Sequence, residues 1–395
     1  MIPDVPGLEF VVGDAEIVEQ MRNVPALKPF SEEAVAFLDA LSKELFTTGR
    51  AFSDVVTFAF WCRRGAVLKE AQKYDDGSVR LGRGIAFHST PSNVAVNFAF
   101  SFATGLLAGN PNIVRLPAKD FEQVKIISAA IRKVLEVQSG MKPYVVFVKY
   151  GLIQAFSDYF SSVCASRIVW GGNMTIALMR QSPLPPRAVE VTFADRYSFL
   201  VLDAEAVLAE DDLTHLVRNF WNDTYFTDQN ACTSPRLVVW VGHDKVTAQE
   251  RFWSAVGRLV ALEYKLQPVQ TVQKLAAFYR AAAAKDVKRV GAHDNFVYRL
   301  KVDRLDKTLM DYKYNSGFFF EYDAPTLEST MEFTDVKCQT MTYFGLSQNA
   351  IRQALEHAAP QGIDRVVPIG ASMNFGLVWD GHDLIRELSR VIAIG

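Results

Sequence analysis

The order of apolar runs and breaks in this chain predicts an α/β protein: two Rossmann-like lobes on parallel-rich sheets, with a helical N-terminal segment. Three observations carry that expectation. Short β-branched and aromatic runs at residues 112–116, 144–148 and 166–170 alternate with stretches of helical length, the pattern of βαβ units. With 395 residues the chain exceeds one ordinary core, so two lobes with a ligand cleft between them are expected. A second alternation of the same kind begins after Pro183-Leu184-Pro185-Pro186.

Taken in order, residues 30–73 show helical spacing of apolar groups, opened by Ser31 with Glu32 and Glu33 and closed by Asp75-Asp76-Gly77. Residues 84–87 read as a short strand, Pro91-Ser92-Asn93 as a turn, and the apolar stretch to Gly109 as a buried helix. A strand at 112–116, an amphipathic helix at 121–138, a strand at 144–148, a helix at 153–160 and a strand at 166–170 follow. Gly171-Gly172-Asn173 then opens a helix reaching Arg180. In the second lobe, strands at 198–203 and 236–241 alternate with helical stretches at 213–221, 247–264 and 274–278. The expected division is a helical segment over residues 1–80, a cofactor-binding domain over 81–197, a catalytic domain over 198–365 and a closing C-terminal segment over 366–395.

Composition narrows the function classes. Hydrophobic residues make up 49% and charged residues 22%, so the chain should fold throughout. A formal net charge of -2 offers no footprint for nucleic acid or an anionic membrane. The longest apolar stretch, residues 94–107, is interrupted by Asn97, Ser101, Thr104 and Gly105 and falls short of the roughly 20 residues that span a bilayer. The opening residues lack a secretory pattern, and the four scattered cysteines form neither a disulfide framework nor a metal knuckle, so a reducing, cytoplasmic setting is expected. No histidine pair at helical spacing suggests zinc, and no Gly-x-Ser-x-Gly elbow suggests a serine esterase.

The residue most suggestive of chemistry is Cys232, in Asp228-Gln229-Asn230-Ala231-Cys232-Thr233-Ser234-Pro235. Small and polar neighbours ahead of a strand point to an accessible thiol on a loop or short helix; the alternative is a cysteine that fills space near a surface. Asn93 reads either as a helix N-cap or as an amide donor to a developing oxyanion. Gly171 and Gly172 read as a plain turn or as a place where a pyrophosphate meets backbone amides. Arg115, at a strand end, is a surface charge or a partner for a ribose or its 2′-phosphate. Glu190, inside an apolar run, is a general base with a raised pKa or the polar face of a strand. His88 reads as a turn residue or as a contact to substrate or cofactor, and His382 as structural.

Gly84-Ile85-Ala86-Phe87-His88 with Pro91-Ser92-Asn93, residues 107–115, the Cys232 run, and Asp364-Arg365-Val366-Val367-Pro368-Ile369-Gly370 leading to Trp379-Asp380-Gly381 occur in an order that resembles the aldehyde dehydrogenase superfamily. Within it, they most resemble the acyl-CoA reductase branch typified by LuxC fatty acid reductases, and the likeness covers nearly the whole chain. The resemblance implies a nucleophilic Cys232 that takes an acyl group from CoA or a carrier thioester, and reduction by NADPH to an aldehyde. It also implies an oxyanion held by Asn93 and the Cys232 amide, and a cofactor near Pro91, Arg115, Gly171, Gly172 and Asn173. Departures are Arg115 where the superfamily has lysine, Val189-Glu190-Val191 in place of Glu-Leu-Gly-Gly, and Lys337-Cys338-Gln339-Thr340 in place of the ribose-binding Glu-Phe-Gly-Pro, which leaves Gln339 as the substitute ligand. An aldehyde dehydrogenase and a non-redox cysteine acyltransferase or thioesterase remain open readings. An acyl-activating synthetase and a second copy of the chain are the partners the resemblance suggests.

Overall fold

The computed structural model describes residues 2–92, 94–291 and 294–394. The chain divides into two compact units, residues 1–194 with 375–395, and residues 195–374.

In the first unit, the strands Ala86–Ser89, Asn112–Arg115, Val145–Lys149, Ser166–Trp170 and Val189–Phe193 form a parallel sheet. Across it they stand in the chain order third, second, first, fourth, fifth, with Glu9–Val12 added antiparallel beside Val145–Lys149. The connections are the helices Asn97–Leu107, Glu122–Val137, Gln154–Val163 and Asn173–Met179. Strands at 86–89 and 166–170 are wholly buried, polar residues included, so neither shows the alternation of a half-buried strand. Apolar clusters lie against both faces, one including Phe98, Phe102 and Phe147, the other Phe87, Phe156 and Phe160. The strand order reverses between Ala86–Ser89 and Ser166–Trp170, so their carboxyl ends diverge and leave a crevice of the kind in which open α/β sheets bind ligands. The helices Glu32–Thr48, Ser53–Trp61 and Arg64–Ala71 supply the expected N-terminal helical segment, the first capped by the Ser31 hydroxyl on the Ala34 amide.

The second unit holds seven strands in the order Val287–Val290, Tyr298–Val302, Phe318–Asp323, Pro235–Val241, Tyr197–Asp203, Cys338–Phe344 and Arg365–Pro368, parallel except for the first pair. Pro235–Val241 is buried along its whole length. A carboxylate also lies in this core: Glu321 receives the indole N–H groups of Trp240 and Trp253 at 2.8 and 2.6 Å and is ion-paired with Arg299 at 2.6 Å. Every lone pair that such a buried anion presents needs a donor, and these three residues supply them.

His88 corrects the turn reading. It lies in the strand Ala86–Ser89, fully buried, with Nδ1 2.7 Å from Ser101 Oγ and Nε2 3.0 Å from Asn112 Oδ1. The Trp170 indole donates to the same Ser101 oxygen at 2.9 Å, and the Asn112 amide donates to Asn110 O at 2.7 Å. These directions assign a neutral ring that accepts at Nδ1 and donates from Nε2. Burial holds its pKa down to about 4. Gly105 faces this network, where a Cβ would stand 2.1 Å from Asn112 Oδ1, so the glycine in mid-helix is a packing requirement.

No helix among the described residues is long and apolar enough to cross a membrane. Among them there is also no cluster of metal-ligating side chains.

Candidate active site

Cys232 sits in the loop before Pro235–Val241 and is exposed, whereas Cys62, Cys164 and Cys338 are buried. Burial pushes the thiols of those three up, Cys164 to about 12, so they are poor nucleophiles. The strands Tyr197–Asp203, Pro235–Val241 and Cys338–Phe344 are neighbours, and their amino ends carry the groups that fix the Cys232 loop. The Ser198 hydroxyl donates to Cys232 O at 2.8 Å while accepting the Thr340 amide at 3.2 Å. The side-chain amide of Gln339, itself buried, donates to Cys232 Sγ at 3.3 Å.

The approach to the thiol is strained. Asp228 and Gln229 have φ of 52° and 53°, left-handed values that a side chain makes costly. Gln229 is fully buried and holds the loop from both ends of its amide. Its nitrogen donates to Pro235 O at 3.1 Å and Phe318 O at 3.3 Å, and its oxygen accepts from the Gly317 and Phe318 amides at 2.8 and 3.2 Å. Arg236, four residues past the thiol, is buried and donates to Tyr314 O at 2.7 Å, to the Asn315 side chain and to Gln229 O. Burial pulls the Arg236 guanidinium down to about 10, and the charges of Cys232, Asp195 and Asp228 act in the opposite sense. The Arg236 cation and the candidate nucleophile Cys232 therefore interact electrostatically.

The cofactor candidates lie in the first unit. Pro91 and Gly171 follow the carboxyl ends of the two strands that flank the reversal in strand order. A Cβ on Gly171 would come within 2.9 Å of Thr175, whereas one on Gly172 would meet nothing within 4 Å. Gly171 therefore serves the turn, and Gly172 and Asn173 border open space, which suits the approach of a phosphate-bearing ligand. Arg115, one strand over, is partly exposed; it donates to Gly151 O at 2.9 Å and Tyr150 O at 3.3 Å, with its guanidinium 4.4 Å over the Tyr150 ring. That contact fixes the plane of the fork.

Two sequence candidates stand differently from the sequence reading. Glu190 is on the edge strand of the first sheet with both oxygens engaged, one by Arg167 and the other by Arg180 at 2.7 Å. Gln339, read from sequence as a cofactor ligand, has its amide on the thiol. Asn93 lies outside the described residues. The sequence reading did not single out Arg236, Gln229 or Ser198; the one visible signal was a charged residue opening an otherwise apolar strand at Arg236-Leu237-Val238-Val239.

The model of the acyl-CoA reductase (LuxC) family matches residues 14–301. The chain belongs to this LuxC acyl-CoA reductase family. It is therefore an oxidoreductase. Solved structures similar to it are aldehyde dehydrogenases, whose fold it has. Aldehyde dehydrogenase 21 from Physcomitrella patens, in complex with succinate, gives a TM-score of 0.67 at 12% identity over 95% of this chain and 88% of that one. A lactaldehyde dehydrogenase gives 0.67 at 13% identity, with the same coverages of 95% and 88%. The Mycobacterium tuberculosis Δ-pyrroline-5-carboxylate dehydrogenase gives 0.64 at 14% identity over 99% of this chain and 88% of that one. A search of curated proteins finds no match to this LuxC-family chain.

Proposed function

We propose that the protein reduces an acyl thioester, borne by CoA or a carrier protein, to an aldehyde with NADPH, through an acyl group held on Cys232. The observation that carries this reading is the exposed Cys232 thiol, met by the Gln339 amide at 3.3 Å and backed by the Arg236 cation. Family membership supports the choice of an acyl thioester as the substrate class.

In the first half-reaction the Cys232 thiolate attacks the thioester carbon, the carbonyl electrons move to oxygen, and the Cys232 amide with Asn93 would hold that oxyanion. Collapse expels the carrier thiolate, which takes a proton, and leaves acyl-Cys232. When bound, the reduced nicotinamide supplies hydride to the acyl carbon. The C–S bond then breaks, the aldehyde leaves and the Cys232 thiolate returns, which Arg236 and the Gln339 amide stabilise. Pro91, Arg115, Gly171, Gly172 and Asn173 would hold the cofactor at the carboxyl edge of the first sheet, with Arg115 facing a 2′-phosphate.

The occupied state of Glu190 favours reduction over aldehyde oxidation. Oxidation to an acid needs a base to meet and activate water on the acyl-enzyme, and both oxygens of Glu190 are already engaged by Arg167 and Arg180. An acyl-activating synthetase is the kind of partner that would feed such an enzyme.

The test is NADPH consumption with acyl-CoA thioesters of graded length, alongside Cys232→Ala. Oxidation that depends on chain length and disappears in the variant is expected. Acyl labelling of Cys232 without NADPH oxidation would replace this reading with a non-redox acyl transfer.

A further inference from the structure

The strained pair that precedes the nucleophile is matched by a second strained pair. Ser316 and Gly317 have φ of 63° and 81°, left-handed like Asp228 and Gln229. The two pairs are joined residue to residue: Ser316 Oγ donates to Asp228 Oδ2 at 3.1 Å, and the Gly317 amide donates to Gln229 Oε1 at 2.8 Å. Beneath both lies Lys274, on the helix Pro268–Ala282 and fully buried. Its ammonium donates to Ser316 O at 2.6 Å and to Asn295 O. The same helix sends Gln270 to Asp228 Oδ2 at 3.0 Å, and the Tyr264 hydroxyl donates to Asp228 Oδ1.

A fully buried lysine without a directly bonded carboxylate is costly, and nothing in the acyl-transfer chemistry uses it. We infer that Lys274 is a positioning residue for the nucleophile: its ammonium fixes the Ser316–Gly317 turn, that turn holds Asp228 and Gln229 in their left-handed conformation, and the pair sets the Cys232 loop. The inference rests on the reading of Cys232 as the acyl acceptor. Relaxing either pair toward ordinary φ would rotate the chain only three residues before the thiol. The ammonium also places positive charge near Asp228, whose carboxylate accepts hydrogen bonds from Ser316, Gln270 and Tyr264.

The charged groups facing Lys274 are Asp228 on the nucleophile loop, Asp294 on the loop before Tyr298–Val302, and Arg289 on Val287–Val290; the two acids favour its charge and the arginine opposes it. Burial outweighs them and brings its pKa down to about 8.

The experiment uses the full chain with Lys274→Met, Asp228→Asn and the double variant. It measures acylation of Cys232 by an acyl-CoA, alkylation of Cys232 by iodoacetamide, and NADPH affinity. Expected are a tenfold or larger loss of both Cys232 rates in each single variant, no further loss in the double variant, and NADPH affinity within twofold of the parent. Cys232 rates within twofold of the parent in folded Lys274→Met, or losses that multiply in the double variant, would overturn the inference. A parallel loss of NADPH affinity marks general unfolding of the variant, and Ser316→Ala then decides. Should Lys274→Met not fold, Ser316→Ala removes the bridging hydroxyl alone and is expected to slow both rates about threefold; unchanged rates there would equally overturn it. Alkylation needs no thioester chemistry. A parent that alkylates but never acylates would therefore refute the reductase reading, while the alkylation ratios still decide the role of Lys274.

Discussion

The two sheets of this molecule offer opposite edges to chemistry. In the first, the candidate cofactor residues follow the carboxyl ends of strands, where Ser166–Trp170 gives way to Gly171-Gly172. In the second, the candidate nucleophile Cys232 and its partners Ser198 and Gln339 gather at the amino ends of Tyr197–Asp203, Pro235–Val241 and Cys338–Phe344. Strain is divided in the same way. Of the eight described non-glycine residues with positive φ, Phe30 and Asp380 are in the first unit and the other six in the second, Asp228, Gln229 and Ser316 among them. An edge that receives a diffusible ligand needs open backbone, which glycine supplies without side-chain contacts. An edge that holds a nucleophile needs one conformation, and here side chains buried beneath it enforce that conformation. On the proposed function, rigidity is placed where a bond would be made, not where a cofactor would be exchanged.

The sharpest way to break that comparison is Arg236→Met. It removes the cation behind Cys232 and leaves the oxygens of Gln229, Tyr314 and Asn315 without their donor. Loss of a buried, multiply bonded charge of this kind is expected to slow Cys232 acylation about a thousandfold, on the order of 4 kcal/mol. NADPH affinity should stay within twofold, as measured by nucleotide fluorescence. A matching fall in cofactor affinity would show that the division of labour between the units is false.

A smaller effect separates the cores. His88 is held neutral, and a proton on Nδ1 would oppose the Ser101 hydroxyl, whose oxygen already accepts the Trp170 N–H. Its folded pKa, near 4, lies below the ordinary 6.5 of an unfolded chain, so the unfolded state binds more protons between these values. Stability is therefore full above about pH 6.5 and falls as the pH drops toward 4, by about 3 kcal/mol in all. Denaturant unfolding at pH 7 and pH 5 checks this: a His88→Gln variant should have lower stability at neutral pH and lose most of the pH slope. An unchanged slope would place the acid sensitivity elsewhere.

How much of this was legible in the sequence follows from range. The strand at 166–170 and the helix at 122–137 were readable because each is specified by its own residues, one by the apolar run Ile168-Val169-Trp170 ahead of two glycines, the other by its amphipathic spacing. Cys232 was visible through its small and polar neighbours. Its supports were not: Gln339 is 107 residues away along the chain, and it meets Sγ only because two strands lie on either side of a third. Local pattern also misjudged His88, and for Glu190 it left the general-base and strand readings both open. A four-residue strand buried on both faces has no alternation to reveal that His88 points into a core, and the arginines that occupy Glu190 come from a neighbouring strand and helix.

At the cofactor edge two adjacent glycines should behave differently. Gly171→Val drives side-chain atoms into Thr175, 2.9 Å from the first added carbon, and is expected to weaken NADPH binding about tenfold, or roughly 1.4 kcal/mol. Gly172→Ala leaves the turn intact but puts a methyl group into the open space through which a phosphate-bearing ligand would approach, and is expected to weaken binding about threefold. Cys232 alkylation should be unaltered in both, and a loss of alkylation in Gly171→Val would mean that the turn supports more than the cofactor.

The finest distinction concerns Arg115, whose fork is stacked 4.4 Å over Tyr150 and tied to Gly151 O at 2.9 Å. A lysine there keeps the charge but loses the plane and the stacking. If Arg115 recognises the 2′-phosphate by geometry, Arg115→Lys should reduce the preference for NADPH over NADH by about threefold to fivefold, roughly 0.7–1 kcal/mol, with NADH affinity unchanged. Competition titrations with the two nucleotides measure that ratio directly. Equal losses for both would assign Arg115 to holding the Tyr150-Gly151 turn in place. Selectivity would then belong to another group at the same open edge, and the contrast with the clamped amino edge of the second sheet would become sharper.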